Sequence, residues 1–216
     1  DLHSFPTRRS SDLRTLTIDH LTWAFFPGLN TAWYVYCLHI IGRLTAPIMW
    51  FFIAEGYHYT HNIKKYISRL FVFAVISHFA YDFAFGIPMI PFSTGVFNQT
   101  SVMWSLAWAV VLMVICSNEK INNGVKWMSI IGICLVSFPS DWSSIAVMAS
   151  FFIYLHRDNF KKQALDIVIW SAIYAAVYFI FLNKPYGLLQ IFTFLSIPIL
   201  SMYSGQRGNW KGMKWF

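Results

Sequence analysis

WYVYCLHIIGRLTAPIMWFFIAEGYHYT, residues 33–60, decides the fold. The run is too long and too apolar to belong anywhere but across a bilayer, where roughly 20 consecutive apolar residues are needed. It nevertheless carries Arg43 in its middle and Glu55 near its far end. An arginine at that depth costs roughly 2.5–3.5 kcal/mol even on lenient insertion scales, so it lines a polar cavity or holds a partner. Pro47 lies in the same run, and neighbouring helices in a membrane can absorb the kink it makes.

The rest of the chain has the same character. Of 216 residues, 57% are hydrophobic and only 12% charged, and the mean hydropathy is +0.51. Soluble domains carry about 25% charged residues. The net charge of +7 does not indicate a nucleic-acid partner, because the basic residues form short clusters between apolar runs. Such clusters set topology. Cys37, Cys116 and Cys134 fall in or beside different runs, with no CxxC or Cys/His metal spacing, so no metal is expected. The first thirteen residues, DLHSFPTRRSSDL, read like one translated frame of a sequencing adapter and are set apart as non-native. Lys214-Trp215-Phe216 closes the chain as a new apolar segment begins. The expected unit is therefore a single integral membrane domain over 14–216, a C-terminally truncated fragment lacking its last span or spans.

The fold class expected is all-α, a polytopic transmembrane helix bundle of about eight spans. They run over Leu13–Pro27, Trp33–Tyr57, Tyr66–Phe85, Asn98–Cys116, Lys126–Phe138, Trp142–His156, Ala164–Leu182 and Tyr186–Tyr203. Loops sort by charge. HNIKKYISR, SNEKINNGVK, HRDNFKK and the tail GQRGNWKGMK are basic, whereas the alternate loops hold only Lys184. The positive-inside rule then places the N-terminus in the cytoplasm.

Polar groups inside the spans are the candidate functional residues. Asp19 and His20 stand side by side in the first; His20 suits general-base work, or the two form an interfacial pair on a short amphipathic helix. His39 and Arg43 share one helical face. Arg43 can bind a phosphate, carboxylate or carbonyl oxygen, or pair with a buried acid to lock helices together. Glu55 precedes Gly56, which would admit a close helix or ligand. His78 and Asp82 are also one turn apart, either a proton relay or, the favoured reading, a helix–helix contact. Asp141 is read as a helix cap and Asp166 as solvated.

Gly42-Arg43-Leu44, Pro47, Phe52, Glu55-Gly56, Thr60, Asn62, Lys65-Tyr66 and Arg69-Leu70 together resemble the signature of the TraX family of conjugal-transfer membrane proteins. Ile18-Asp19-His20 fits that family's first span, Asp141-Trp142 resembles its Asp-Tyr-Gly element, and Gln190, Pro198 and Tyr203 through Gly208 resemble its late segment. His61 departs from the pattern, standing where the family often has arginine, and Asn98–Trp108 matches the fourth span poorly. The resemblance implies a bacterial cytoplasmic (inner) membrane protein, distantly similar to integral-membrane acyltransferases. It further implies an acetyl group taken from acetyl-CoA and passed to an acceptor such as the N-terminal amine of a pilin. His20 would then be the base, Arg43 the phosphate or oxyanion partner, and Glu55 a residue that orients one of them or lines the entry. Asp19, His39, Tyr57, Lys65 and Arg69 complete the expected site as substrate-binding residues.

Two other classes fit intramembrane Asp, His, Arg and Glu: a proton- or ion-coupled transporter, and a non-catalytic assembly factor for a small membrane protein. Transporters often show inverted repeats with paired broken helices, and no such pairing is visible in the sequence. The topology carries its own test. A reporter fused after Pro91 is expected to be active only outside the cytoplasm, and cytoplasmic activity would overturn the span count.

Overall fold

The computed structural model describes residues 33–88 and 95–203. Among the described residues it is all-helical, with a single isolated β-bridge between Thr100 and Ser140. The helices are α1 (Trp33–Arg43), α2 (Thr45–Tyr59), α3 (Ile63–Phe85), α4 (Val102–Ser117), α5 (Asn123–Ser137), α6 (Ser143–Leu155) and α7 (Phe160–Val177). A π-helical turn, Tyr178–Leu182, extends α7; α8 (Lys184–Leu189), a 3-10 segment (Gln190–Leu195) and α9 (Ser196–Ser201) follow.

Among the described residues three helical stretches are long and apolar enough to cross a membrane: Trp33–Tyr59, Ile63–Phe85 and Phe160–Leu182. Val102–Ser117, Asn123–Ser137 and Ser143–Leu155 are apolar but shorter. The chain is thus a helical membrane protein, and among the described residues three stretches meet the length of a span, against about eight expected over the whole chain. The expected span Leu13–Pro27 lies outside the described residues. The expected span Tyr186–Tyr203 is three short pieces rather than one helix. One cause is Pro198, which has no N–H for the carbonyl four residues back.

Local chemistry sets the helix ends. Asn62 caps α3 by accepting from the Lys65 amide at 3.0 Å, and Asn122 caps α5 by accepting from Val125 at 2.9 Å. Gly86 ends α3 in the left-handed conformation, φ +63°, which glycine adopts without a Cβ clash. On α3 the apolar residues Val72, Val75, Ile76, Phe79 and Phe83 recur every three or four positions and are exposed, the stripe expected of a lipid-facing surface.

The described residues form two compact units, one from the residues up to 49 with those from 171 on, the other from those between 50 and 170. In the second, α4 packs against α3, α5 and α6, and its Ser105, Leu106, Ala107, Ala109 and Val110 are buried. Small residues there allow backbones to approach closely. Ser105 Oγ bonds Ser140 Oγ and donates to the Ser143 carbonyl at 2.8 Å, tying α4 to the α5–α6 turn. That turn holds Trp142 and Ser143 at φ +62° and +51°, a conformation costing about 1–3 kcal/mol per residue outside glycine. Asp141 Oδ1 accepts from the Trp142 amide at 3.0 Å, and the Trp142 ring packs edge-on against Trp50 at 5.2 Å. The N-cap position of α6 is Trp142, with no side-chain capping bond, so Asp141 bonds the residue before the helix and is not the cap expected from the sequence.

In the first unit, α8 lies against the π turn at a near approach of backbones. A Cβ at Gly187 would stand 2.7 Å from the Phe179 nitrogen and 2.9 Å from the Ala175 carbonyl oxygen. Backbone atoms cannot yield as a side-chain tip can. Gly187→Ala is expected to lower stability by about 1–3 kcal/mol in thermal unfolding in detergent. Gly132→Ala, where nothing lies within 4 Å, is the control, expected to be neutral or slightly stabilising.

Candidate functional site

Val35, His39, Gly42 and Arg43 are the buried residues of α1 and recur on one side of it. Arg43 is 3% exposed and His39 is fully enclosed. The helix breaks just after Arg43. Pro47 lacks the N–H that would bond the Arg43 carbonyl, and the chain restarts at Thr45 as α2. The guanidinium therefore sits at the last turn of α1, where the helix dipole favours a cation.

Aromatic rings receive that charge. Arg43 Nη1 donates to the Tyr186 hydroxyl at 2.8 Å, and the guanidinium carbon lies 5.4 Å from the Tyr186 ring centre. Tyr186 stacks on Tyr178 at 4.7 Å, and Tyr178 on Tyr174 at 4.7 Å. Cation–π attraction is worth about 2 kcal/mol or more once the partners are desolvated. The π turn helps to build this ladder. The Asn183 amide reaches back five residues to the Tyr178 carbonyl at 2.8 Å, and Asn183 Oδ1 then caps α8 by accepting from the Tyr186 amide at 3.0 Å.

A second polar face belongs to the 3-10 segment. Side chains three apart eclipse on such a helix. Gln190, Thr193 and Ser196 are therefore stacked, and all are fully buried. Thr193 Oγ1 donates to the Gln190 carbonyl and Ser196 Oγ to the Thr193 carbonyl, each at 2.7 Å. Gln190 Nε2 donates to the Tyr186 carbonyl at 3.4 Å, and its Oε1 has no hydrogen-bond partner. The 3-10 segment and α8 both pack on α1. The helix that carries the buried guanidinium and imidazole thus packs against a segment with buried hydroxyls and a buried amide. Such a place can stabilise developing negative charge and orient a hydrogen-bond donor.

Asp19 and His20 are outside the described residues. Glu55 is buried and ion-paired with Arg157, whose Nε donates to Oε1 at 3.0 Å. Arg157 Nη2 also donates to the Tyr59 hydroxyl at 2.9 Å. Tyr57 packs edge-to-face against Tyr154, with ring centres 4.9 Å apart. Gly56 does admit a close neighbour, the Tyr66 side chain, whose hydroxyl would stand 2.5 Å from an added Cβ. Lys65 and Arg69 are exposed on the first turns of α3. Asp166 is not solvated as expected. It is 5% exposed and bonded to His156 Nδ1 at 2.7 Å, because the inner face of α7 carries it toward the end of α6. Among the described residues no three His, Cys, Asp or Glu are grouped to hold a metal ion.

Sequence reasoning missed Tyr174, Tyr178, Tyr186, Thr193 and Ser196, and gave Arg157 only a topological task. Tyrosines at 174 and 178 share a helical face, which was a legible signal. Nothing local ties Tyr186 to a residue 143 positions earlier.

The family model described as TraX protein matches residues 13–216. The probable fimbrial assembly protein FimC, serogroup H1, of Dichelobacter nodosus is 27% identical over 156 residues, which covers 71% of this chain. The chain spans 63% of that relative's length. No solved structure matches the chain.

Removing either partner of the Glu55–Arg157 pair strands a charged group. Glu55→Gln and Arg157→Met are each expected to cost about 1.5–3 kcal/mol. The double variant should cost less than the sum of the two, as a double-mutant cycle on thermal unfolding would read.

Proposed function

The chain belongs to the TraX family, and we propose that it is a membrane-embedded acetyltransferase serving pilus or fimbria assembly. It moves an acetyl group from acetyl-CoA to a primary amine, such as the N-terminal amine of a pilin. The observation that carries this reading is Arg43, a buried guanidinium held on a tyrosine at the break of an apolar helix. The name of the Dichelobacter relative supports the assembly context. The protein lies in the bacterial cytoplasmic membrane with about eight crossings, and its N-terminus faces the cytoplasm.

In this mechanism the amine attacks the thioester carbonyl, and the new C–N bond forms as His20 accepts the proton. Charge collects on the carbonyl oxygen, where Arg43 stabilises it in surroundings that screen little. The C–S bond then breaks and coenzyme A leaves as thiolate, which His20 protonates. Tyr186 fixes the guanidinium, since a bidentate cation acts only at a set angle. His39 and Asp19 position the reactants. Lys65 and Arg69, exposed at the start of α3, attract the phosphates of the donor. Water excluded from an apolar site cannot hydrolyse the thioester.

Transport is the second reading. The break after Arg43 interrupts one of the long helical stretches, and interrupted helices serve ion sites in transporters. One experiment separates the two. The protein in liposomes is given labelled acetyl-CoA and a pilin N-terminal peptide, beside His20→Ala, Arg43→Ala and Arg43→Lys. Transfer is expected in the parent and to fall about a hundredfold or more in both alanine variants. Arg43→Lys should recover little, because a point charge does not replace a planar fork. Transfer that persists in both alanine variants removes the site. Absence of transfer together with proton-coupled flux moves the conclusion to transport.

A further inference from the structure

His78, Asp82 and Thr100 lie in the 50–170 unit and take no part in the chemistry proposed for Arg43. His78 Nε2 stands 3.4 Å from Asp82 Oδ2, one turn along α3. On the opposite edge of the ring, His78 Nδ1 is 3.1 Å from Thr100 Oγ1. A hydroxyl on one ring nitrogen and a carboxylate on the other is the arrangement of a base-activated nucleophile. Such contacts are often loose before substrate arrives.

Each member is held for the part. Asp82 is 2% exposed, and its backbone carbonyl takes the amides of Gly86 and Ile87, which anchors it at the end of α3. Its Oδ1 is buried with no hydrogen-bond partner, a cost that a simple ion pair has no reason to keep. The His78 side chain is 36% exposed, so a ligand can reach it. Thr100 is pinned through its backbone: it bridges to Ser140, and its carbonyl accepts from the Asp141 amide at 2.8 Å. Two residues on, α4 begins. Among its first-turn amides that of Trp104 bonds the Ser101 carbonyl at 3.2 Å, and the Ser101 side chain makes no capping bond.

We propose that Thr100, His78 and Asp82 form a second acyl-handling site, one that accepts small acyl esters or thioesters onto the Thr100 hydroxyl. Asp82 is a positioning residue: it holds the Nε2–H, which leaves the Nδ1 lone pair facing Thr100. Thr100 Oγ1 attacks the acyl carbonyl and its proton passes to Nδ1. The Oγ1–C bond forms, the bond from carbon to the alkoxide or thiolate breaks, and the leaving group takes the proton from Nδ1. Water, giving a proton to the same nitrogen, then hydrolyses the Thr100 ester to a carboxylic acid and restores the hydroxyl.

The test uses the full chain in detergent micelles with p-nitrophenyl acetate and, separately, a fluorophosphonate. Adducts are located by peptide mass spectrometry, and thermal unfolding is followed for every variant. One acetyl or phosphonyl adduct is expected on Thr100, absent in Thr100→Val and retained in Thr100→Ser. His78→Gln and Asp82→Asn should slow its formation about a hundredfold or more. Asp82→Asn should also move the ring proton to Nδ1, visible in the nitrogen NMR spectrum of His78. If Asp82→Asn does not fold, His78→Gln decides. No adduct on Thr100 with either probe, or an adduct forming as fast in His78→Gln, overturns the proposal.

Discussion

A guanidinium buried in an apolar helix is the constraint around which the first unit is organised. Arg43 cannot reach water, and it cannot lose its proton at any ordinary pH. The surroundings must therefore supply electron density. They do so with a hydroxyl at 2.8 Å and the face of the same tyrosine ring. Placing Tyr186 there requires a turn at Asn183, a π-helical end to α7 and a glycine at 187 that lets α8 lie on the backbone behind it. One charge thus accounts for several irregularities that would otherwise look unrelated.

The second unit solves a different problem, how to pack helices where lipid removes the hydrophobic drive between them. Its answer is small residues and hydroxyls. The α4 face is alanine and serine as well as leucine, and Ser105 joins the α5–α6 turn through its oxygen. The left-handed residues Trp142 and Ser143 are tolerated because this network and the Trp50 ring hold them from several directions. At the other end, buried acids are matched rather than exposed: Glu55 to Arg157 and Asp166 to His156. Charges that the sequence offers as loop markers double as pairs that close the helix ends.

The residues that were legible follow from helical periodicity. His39 and Arg43 are four apart in an apolar run, so their shared inner face could be read directly, and the structure buries both. Asp166 was misread because it stands near Lys161 and Lys162, and proximity to a basic cluster suggests solvent. What buries it is the rotation of α7, which no short window of sequence specifies. Thr193 and Ser196 were missed for a related reason. Their common face exists only at three residues per turn, and a 3-10 segment inside an apolar run resembles an α-helix in composition.

Composition and periodicity by themselves determined that this chain is helical and belongs in a membrane, and that its charges would be few and meaningful. Those properties depend on transfer free energy and on neighbours three or four residues apart, both of which are written locally. Which charge meets which partner was decided only by tertiary structure. Arg43 meets Tyr186, 143 positions away, and Glu55 meets Arg157, 102 positions away. Contacts at that range depend on how helices turn about their axes and where they break, and those are set by packing of the whole unit rather than by any stretch within it.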